Sequence, residues 1–173
     1  MDGILSNPSG RYVYNVGFVN NYTCELMVWK PHVTVAAVLK DQGRYLFVHE
    51  TSDSGSVLNQ PAGHLEDNET LLDAVRREVV EETAYEFVPQ HLVGIYQYRL
   101  PAGDKTYLRF CFAGRIGGQR DIPLDPDIIE TLWLSREELV LQNIRLRSPL
   151  VNLSLDDYER GQRLPLDLIH TIR

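Results

Sequence analysis

The chain has 173 residues, 43% hydrophobic and 24% charged, which suits one globular domain of about 100–200 residues and excludes wholesale disorder. A net charge of −7 excludes general nucleic-acid binding and docking on an anionic membrane. With Cys24 and Cys111 as its two cysteines, a disulfide framework and a cysteine zinc cluster are excluded, and a reducing, cytoplasmic setting is expected.

Residues 1–29 read as an N-terminal extension outside the domain. They are weakly patterned, hold Asn-Pro-Ser-Gly at 7–10 with one stray strand over 11–19, and contain Met27, an alternative start. The opening Met1-Asp2 is acidic and no apolar leader follows, the pattern of an unexported chain. The domain is expected over 30–173. His32 to Leu39 is apolar enough for a buried strand but far too short to span a bilayer. Asp41-Gln42-Gly43 reads as a turn and Arg44 to Glu50 as the returning strand. Thr70 to Thr83 reads as a helix, and 92–100, 106–115 and 130–134 as strands, with Gly117-Gly118 and Asp125-Pro126 as loop punctuation. Ser135-Arg-Glu-Glu138 has the form of a capping box. Ser148-Pro149 opens a last helix that Gly161 would stop. The class is therefore α/β in the mixed α+β sense, a mixed sheet flanked by helices.

The chemistry concentrates in Gly63 to Tyr85. Thr70 with Asp73 forms a cap, and Leu71, Leu72, Ala74, Val75 and Val79 form an apolar stripe. Glu78, Glu81 and Glu82 fall at i, i+3 and i+4, on one third of the circumference. Like charges at that spacing repel, so they need open water or a cation. Mg²⁺, a hard ion that seeks oxygen ligands, is the cation such a face would take. The plainer reading is a solvated acidic face. Arg77 sits four residues before Glu81 and four after Asp73, placed to hold carboxylates in orientation.

The longer pattern is Gly63, five residues, Glu69, seven residues, then Arg77-Glu78-Val79-Val80-Glu81-Glu82. It resembles the box of the Nudix hydrolases, which cleave a diphosphate linked to another group. The resemblance implies the Nudix fold, a mixed sheet between helices with a loop–helix–loop bound to Mg²⁺, or Mn²⁺. It makes Glu78, Glu81 and Glu82 metal ligands, with Glu81 and Glu82 catalytic and Arg77 and Glu69 supporting. Gly63 would bring its carbonyl to the metal. Two positions depart: the family's glycine after Glu-Glu-Thr is Ala84, and the next aliphatic is Tyr85. Alanine in a left-handed stop costs roughly 1 kcal/mol.

Pro31-His-Val-Thr-Val-Ala36, Asn59-Gln-Pro-Ala-Gly-His64, Leu146-Arg-Ser-Pro-Leu-Val151 and Gly161-Gln-Arg-Leu-Pro-Leu166 narrow the resemblance to NudJ-type Nudix phosphatases. That type implies release of inorganic phosphate from hydroxymethylpyrimidine pyrophosphate, thiamine pyrophosphate and nucleoside di- and triphosphates. The partner expected is therefore a small-molecule diphosphate, with no nucleic acid and no membrane, in a monomer or homodimer. Other Nudix specificities, for nucleotide sugars or oxidised nucleotides, stand as alternatives. A nucleotide-sensing Nudix module is the non-enzymatic alternative, but such modules usually lose a box glutamate.

Outside the box, Glu130, three residues before Trp133, is the first choice for a general base, and Asp127 the reserve. Arg99, Lys105 and Arg109 are candidates to grip the distal phosphate, against the plain reading of surface charge. Tyr98 and Trp133, with Tyr96 and Phe110, are candidates to stack on a ring, though strand aromatics are usually core. Of the histidines, His64 alone is placed beside the site.

Overall fold

The run His32–Val38 forms β1, and its apolar residues serve two cores at once. Val35 and Ala37, with Leu39 just beyond, join one cluster, and Ala36 and Val38 join the other. A strand buried on both faces has no polar alternation, which is why the segment reads as continuously hydrophobic. The computed structural model describes residues 29–53, 55–101, 103 and 105–172. Arg11–Val19 and Met27 lie outside these. Residues Pro31–Arg173 form one compact unit.

Lys40–Asp41 (β2), Arg44–Glu50 (β3), Val57–Asn59 (β4), Ala62–His64 (β5), Tyr85–Arg99 (β6), Thr106–Gln119 (β7) and Ile128–Leu134 (β8) complete the strands. One mixed sheet has the order β5-β1-β7-β6, with β1 and β7 parallel and the other pairs antiparallel. In the second, β3 pairs antiparallel with β2 and β4 and also with β8. The expected mixed sheet is thus two four-stranded sheets.

Helix α1 (Leu71–Thr83) packs Ala74, Val75 and Val79 into the cluster of Val35, Leu46 and Phe112. Helix α2 (Arg136–Leu141) and helix α3 (Leu150–Glu159) close the other cluster with Leu139, Leu150, Val151 and Leu155. Each Val or Leu among them contributes about 1.5–3 kcal/mol by leaving water. The Thr70 hydroxyl accepts from Asp73 N, and Ser135 with Glu138 forms the full capping box. A single 3₁₀ turn, Leu166–Leu168, follows. Among the described residues no helix is long and apolar enough to cross a membrane.

Three strands run longer than the pattern predicts, β8 by two residues at its start and β6 and β7 by more. Strand β6 begins at Tyr85, not Leu92, because register shifts near Phe87, His91 and Gly94 break its alternation. Pro89 is tolerated there since β6 is a sheet edge. Gly117-Gly118 lies within β7 and is no loop; a Cβ at Gly117 would sit 2.7 Å from Glu86 Cβ.

Candidate active site

Strand β5 sets Gly63 beside Val35 of β1 and brings it against α1. The approach is close: a Cβ at Gly63 would lie 2.1 Å from Glu78 Oε1. Glu78 and Glu82 are buried, and Glu81 is exposed. These three, with Gly63, His64, Glu66, Arg77, Glu50, Asp125 and Asp127, line a polar recess of about 350 Å³.

Arg77 organises it. Its Nε and Nη2 donate to the two oxygens of Glu69 at 2.8 and 3.0 Å. Nη1 donates to Glu78 Oε1 at 2.7 Å and Glu81 Oε2 at 3.0 Å, and Nη2 also donates to the His64 carbonyl at 3.0 Å. The planar fork suits this multiple contact, which a lysine would not reproduce. It holds the Glu69 carboxyl below the usual carboxylate range.

Glu78 and Glu82 go the other way. Burial raises both, Glu82 furthest, although Arg77 counters it at Glu78 and the Ala62 N–H, at 2.8 Å, counters it at Glu82. Among the described residues no three His, Cys, Asp or Glu side chains converge on one point. The carboxylates instead turn apart, Glu78 and Glu81 to Arg77 and Glu82 to Ala62 N. The donor set still suits Mg²⁺ or Mn²⁺: hard anionic oxygens from one helix face and a glycine that leaves Glu78 room.

A second recess of about 150 Å³ shares Glu50, Ala62, Gly63 and His64 with the first. Arg109, Tyr98 and Arg147 line it, the last paired with Glu50 at 3.3 Å. Arg109 is buried, and its Nε and Nη1 have no partner among the described residues.

Several expected residues lie elsewhere. Arg99 lines neither recess; it is exposed and donates to the Gly103 carbonyl at 3.0 Å. Lys105 is exposed and lines neither. Trp133 packs edge-on against Tyr85 and borders a separate recess with Lys40 and Arg115, so it does not share a wall with Tyr98. Tyr96 is core, its hydroxyl donating to Asp157, and Phe110 packs against the α1 cluster. Glu130 faces His49 across the β3–β8 pair, Nδ1 to Oε1 3.2 Å, and is outside the carboxylate recess, which Asp127 does line. Sequence reading missed Glu50, Asn59 and Thr34: the first two end β3 and β4 and the third lies within β1, with no local spacing to mark them.

A mixed-sheet domain carrying this carboxylate–arginine helix is a phosphohydrolase of one class. The family model for the NUDIX domain matches residues 29–153, and the chain belongs to the Nudix family. It is a Nudix phosphohydrolase. Among its relatives, Phosphatase NudJ of Escherichia coli strain K12 is 46% identical over 146 residues, 82% of this chain and 92% of that protein. A solved NUDIX hydrolase from Nitrosomonas europaea is 41% identical with a TM-score of 0.79, over 83% of this chain and 98% of that one. A MutT protein from Methanosarcina mazei Go1, 23% identical with a TM-score of 0.63 over 79% and 99%, shares the fold.

Proposed function

We propose that the domain, over 30–173, hydrolyses the phosphoric anhydride of small organic diphosphates in the cytoplasm and releases inorganic phosphate. The substrates proposed are hydroxymethylpyrimidine pyrophosphate, thiamine pyrophosphate and nucleoside di- and triphosphates. The observation that carries the reading is the fit of Gly63 against Glu78, beside Glu81 and Glu82, with Arg77 fixing the acids. The relative named as a phosphatase supports release of phosphate.

Glu78, Glu81, Glu82 and the Gly63 carbonyl would hold Mg²⁺, or Mn²⁺, which supplies charge neutralisation at the phosphates. Arg77 keeps Glu69, Glu78 and Glu81 in place by bidentate and shared hydrogen bonds. Asp127, at the lip of the recess, takes the water proton; Glu130 is engaged with His49. Its backbone is anchored, since Thr51 N donates to the Asp127 carbonyl and Asp127 N to Asp125 Oδ1. The organic group extends past Gly63 and His64 toward Tyr98 and Arg109.

Hydrolysis of a nucleoside diphosphate in heavy-oxygen water tests the position of attack. Label in inorganic phosphate is expected. Label in the nucleoside monophosphate would mean attack at the inner phosphorus and would refute terminal release.

A further inference from the structure

The smaller recess has a polar floor of which the hydrolytic reading uses Arg109 alone. Thr34, Glu50, Asn59 and Arg109 all line it, and each is more than nine-tenths buried, with exposures of 4%, 8%, 3% and 7%. Each keeps a polar atom without a partner among the described residues: Thr34 Oγ1, Glu50 Oε1, Asn59 Oδ1, and Arg109 Nε and Nη1. Buried polar side-chain atoms are almost always paired, so four such residues around one cavity call for a ligand.

The mix of atoms selects the ligand. A fully ionised organic phosphate offers acceptors alone. It would satisfy Arg109 but leave Asn59 Oδ1 unpaired and be repelled by Glu50. A heterocycle with an N–H donor beside a ring acceptor pairs with both kinds: Glu50 and Asn59 accept, Arg109 donates, and the Thr34 hydroxyl does either. The walls suit a ring, since Tyr98, Tyr107, Leu100 and Leu150 border the same space. Its volume of about 150 Å³ is below the roughly 300–1,000 Å³ that encloses a drug-sized ligand, so it takes one ring.

We infer that this recess reads the polar edge of a single-ring heterocycle at the organic end of the substrate, with Thr34, Glu50, Asn59 and Arg109 determining specificity. The inference rests on the diphosphate-hydrolase reading for what lies next door, in the carboxylate recess, but its test reads no turnover.

Cytosine carries an amino donor beside a ring-nitrogen acceptor and no phosphate; pyrimidine carries acceptors only. Both are titrated into the full chain in metal-free buffer and followed by saturation-transfer NMR. Cytosine should bind at least about tenfold more tightly than pyrimidine, the factor expected of one net hydrogen bond. Thr34→Val, nearly the same shape, and Asn59→Leu should each reduce that preference to within about threefold. Circular dichroism checks folding, and Thr34→Val alone decides if Asn59→Leu does not fold. Equal affinity for the two rings, no binding by the parent chain, or an unchanged preference in the folded variants overturns the inference. So does displacement of cytosine by inorganic phosphate in a manner lost in Arg109→Met, which would make the recess a phosphate site. None of these outcomes bears on whether a diphosphate is cleaved, so failure here and failure of the hydrolase reading are separate results.

Discussion

Helix α1 buries Glu78 and Glu82 and helix α3 buries Ser154 and Asp157, each against the central strands, but the partners differ. On α3 the polar groups are paired within the fold. Asp157 accepts from the Tyr96 hydroxyl at 2.8 Å and from Arg160. Ser154 Oγ contacts the Leu150 carbonyl and Gln60 Oε1. On α1, Glu82 has one backbone N–H and Glu78 shares Arg77 with three other acids, while Glu50 and Asp125 add negative charge nearby. Buried acids with few partners cost stability, and a protein retains that arrangement where something else neutralises them. The α3 acid holds the fold together; in the function proposed above, a cation would neutralise the α1 acids.

The sharpest way to break this contrast is to remove one α1 charge. Glu82→Gln or Glu81→Gln should lower turnover by about 10²–10³-fold, the scale for losing one electrostatic group at a reacting centre. The metal-free Glu82→Gln protein should melt at or above the parent. The sign follows from burial: a carboxyl raised in the folded state costs stability above its unfolded value, and the cost vanishes as pH falls. The gap between the two melting curves should therefore close on mild acidification. Near-parental activity in both variants would remove the metal assignment.

Gly63→Ala should follow in size. The three atoms nearest the new Cβ all belong to the Glu78 carboxyl group, the end of a flexible side chain, so the fold yields cheaply while the carboxylate is pushed aside. A misplacement of about 1 Å costs roughly 10²-fold in rate. Urea melts should shift by less than about 1 kcal/mol, the range of tolerated local repacking. Equal losses of stability and rate would show Gly63 to be a packing residue only.

Asp157→Ala is the converse case. It strands the buried Tyr96 hydroxyl and should cost about 1–3 kcal/mol in urea unfolding, with kcat unchanged well below the melting range. A specific loss of kcat would put α3 in the catalytic machinery.

Which parts were legible in the sequence follows from the range of the signals. The caps of α1 and α2, the Gly63–Glu69–Arg77 spacing and the carboxylate face are local patterns; both caps form, and Gly63, Arg77 and the three glutamates line one recess. The pairings Thr34↔His64 and Val35↔Gly63, which bring β5 to the site, are long-range, and three-residue strands carry no periodicity. The same limit explains Trp133 and Glu130. Strand parity decides which face a residue takes, and the β3–β8 register sets Glu130 opposite His49 while Asp127, just before the strand, stays at the recess. Tyr98 and Trp133 are both strand aromatics, and only assembly separates their surroundings.

The smallest effects come from the two helix stops. Helix α1 ends on Ala84 at φ 58°, and α3 is followed by Gly161 at φ 86°. A left-handed conformation costs an L residue roughly 1–2 kcal/mol. At Gly161 a Cβ would meet nothing within 4 Å, so Gly161→Ala gains no packing and should lose about 1 kcal/mol. Ala84 differs because its methyl is buried, at 3% exposure. Its N–H donates to the Val80 carbonyl at 2.8 Å and its carbonyl accepts from Arg120 N at 2.8 Å, and both bonds survive removal of the side chain. Ala84→Gly relieves the strain but gives up about 0.8 kcal/mol of methyl burial and adds roughly 0.5–1 kcal/mol of unfolded-state entropy. The contributions nearly cancel, so the expected change is under about 1 kcal/mol, with turnover unaltered. Thermal melts of the two variants compare the stops directly. A gain of about 1 kcal/mol or more in Ala84→Gly would mean that the buried methyl contributes nothing, and that alanine here is strain without compensation.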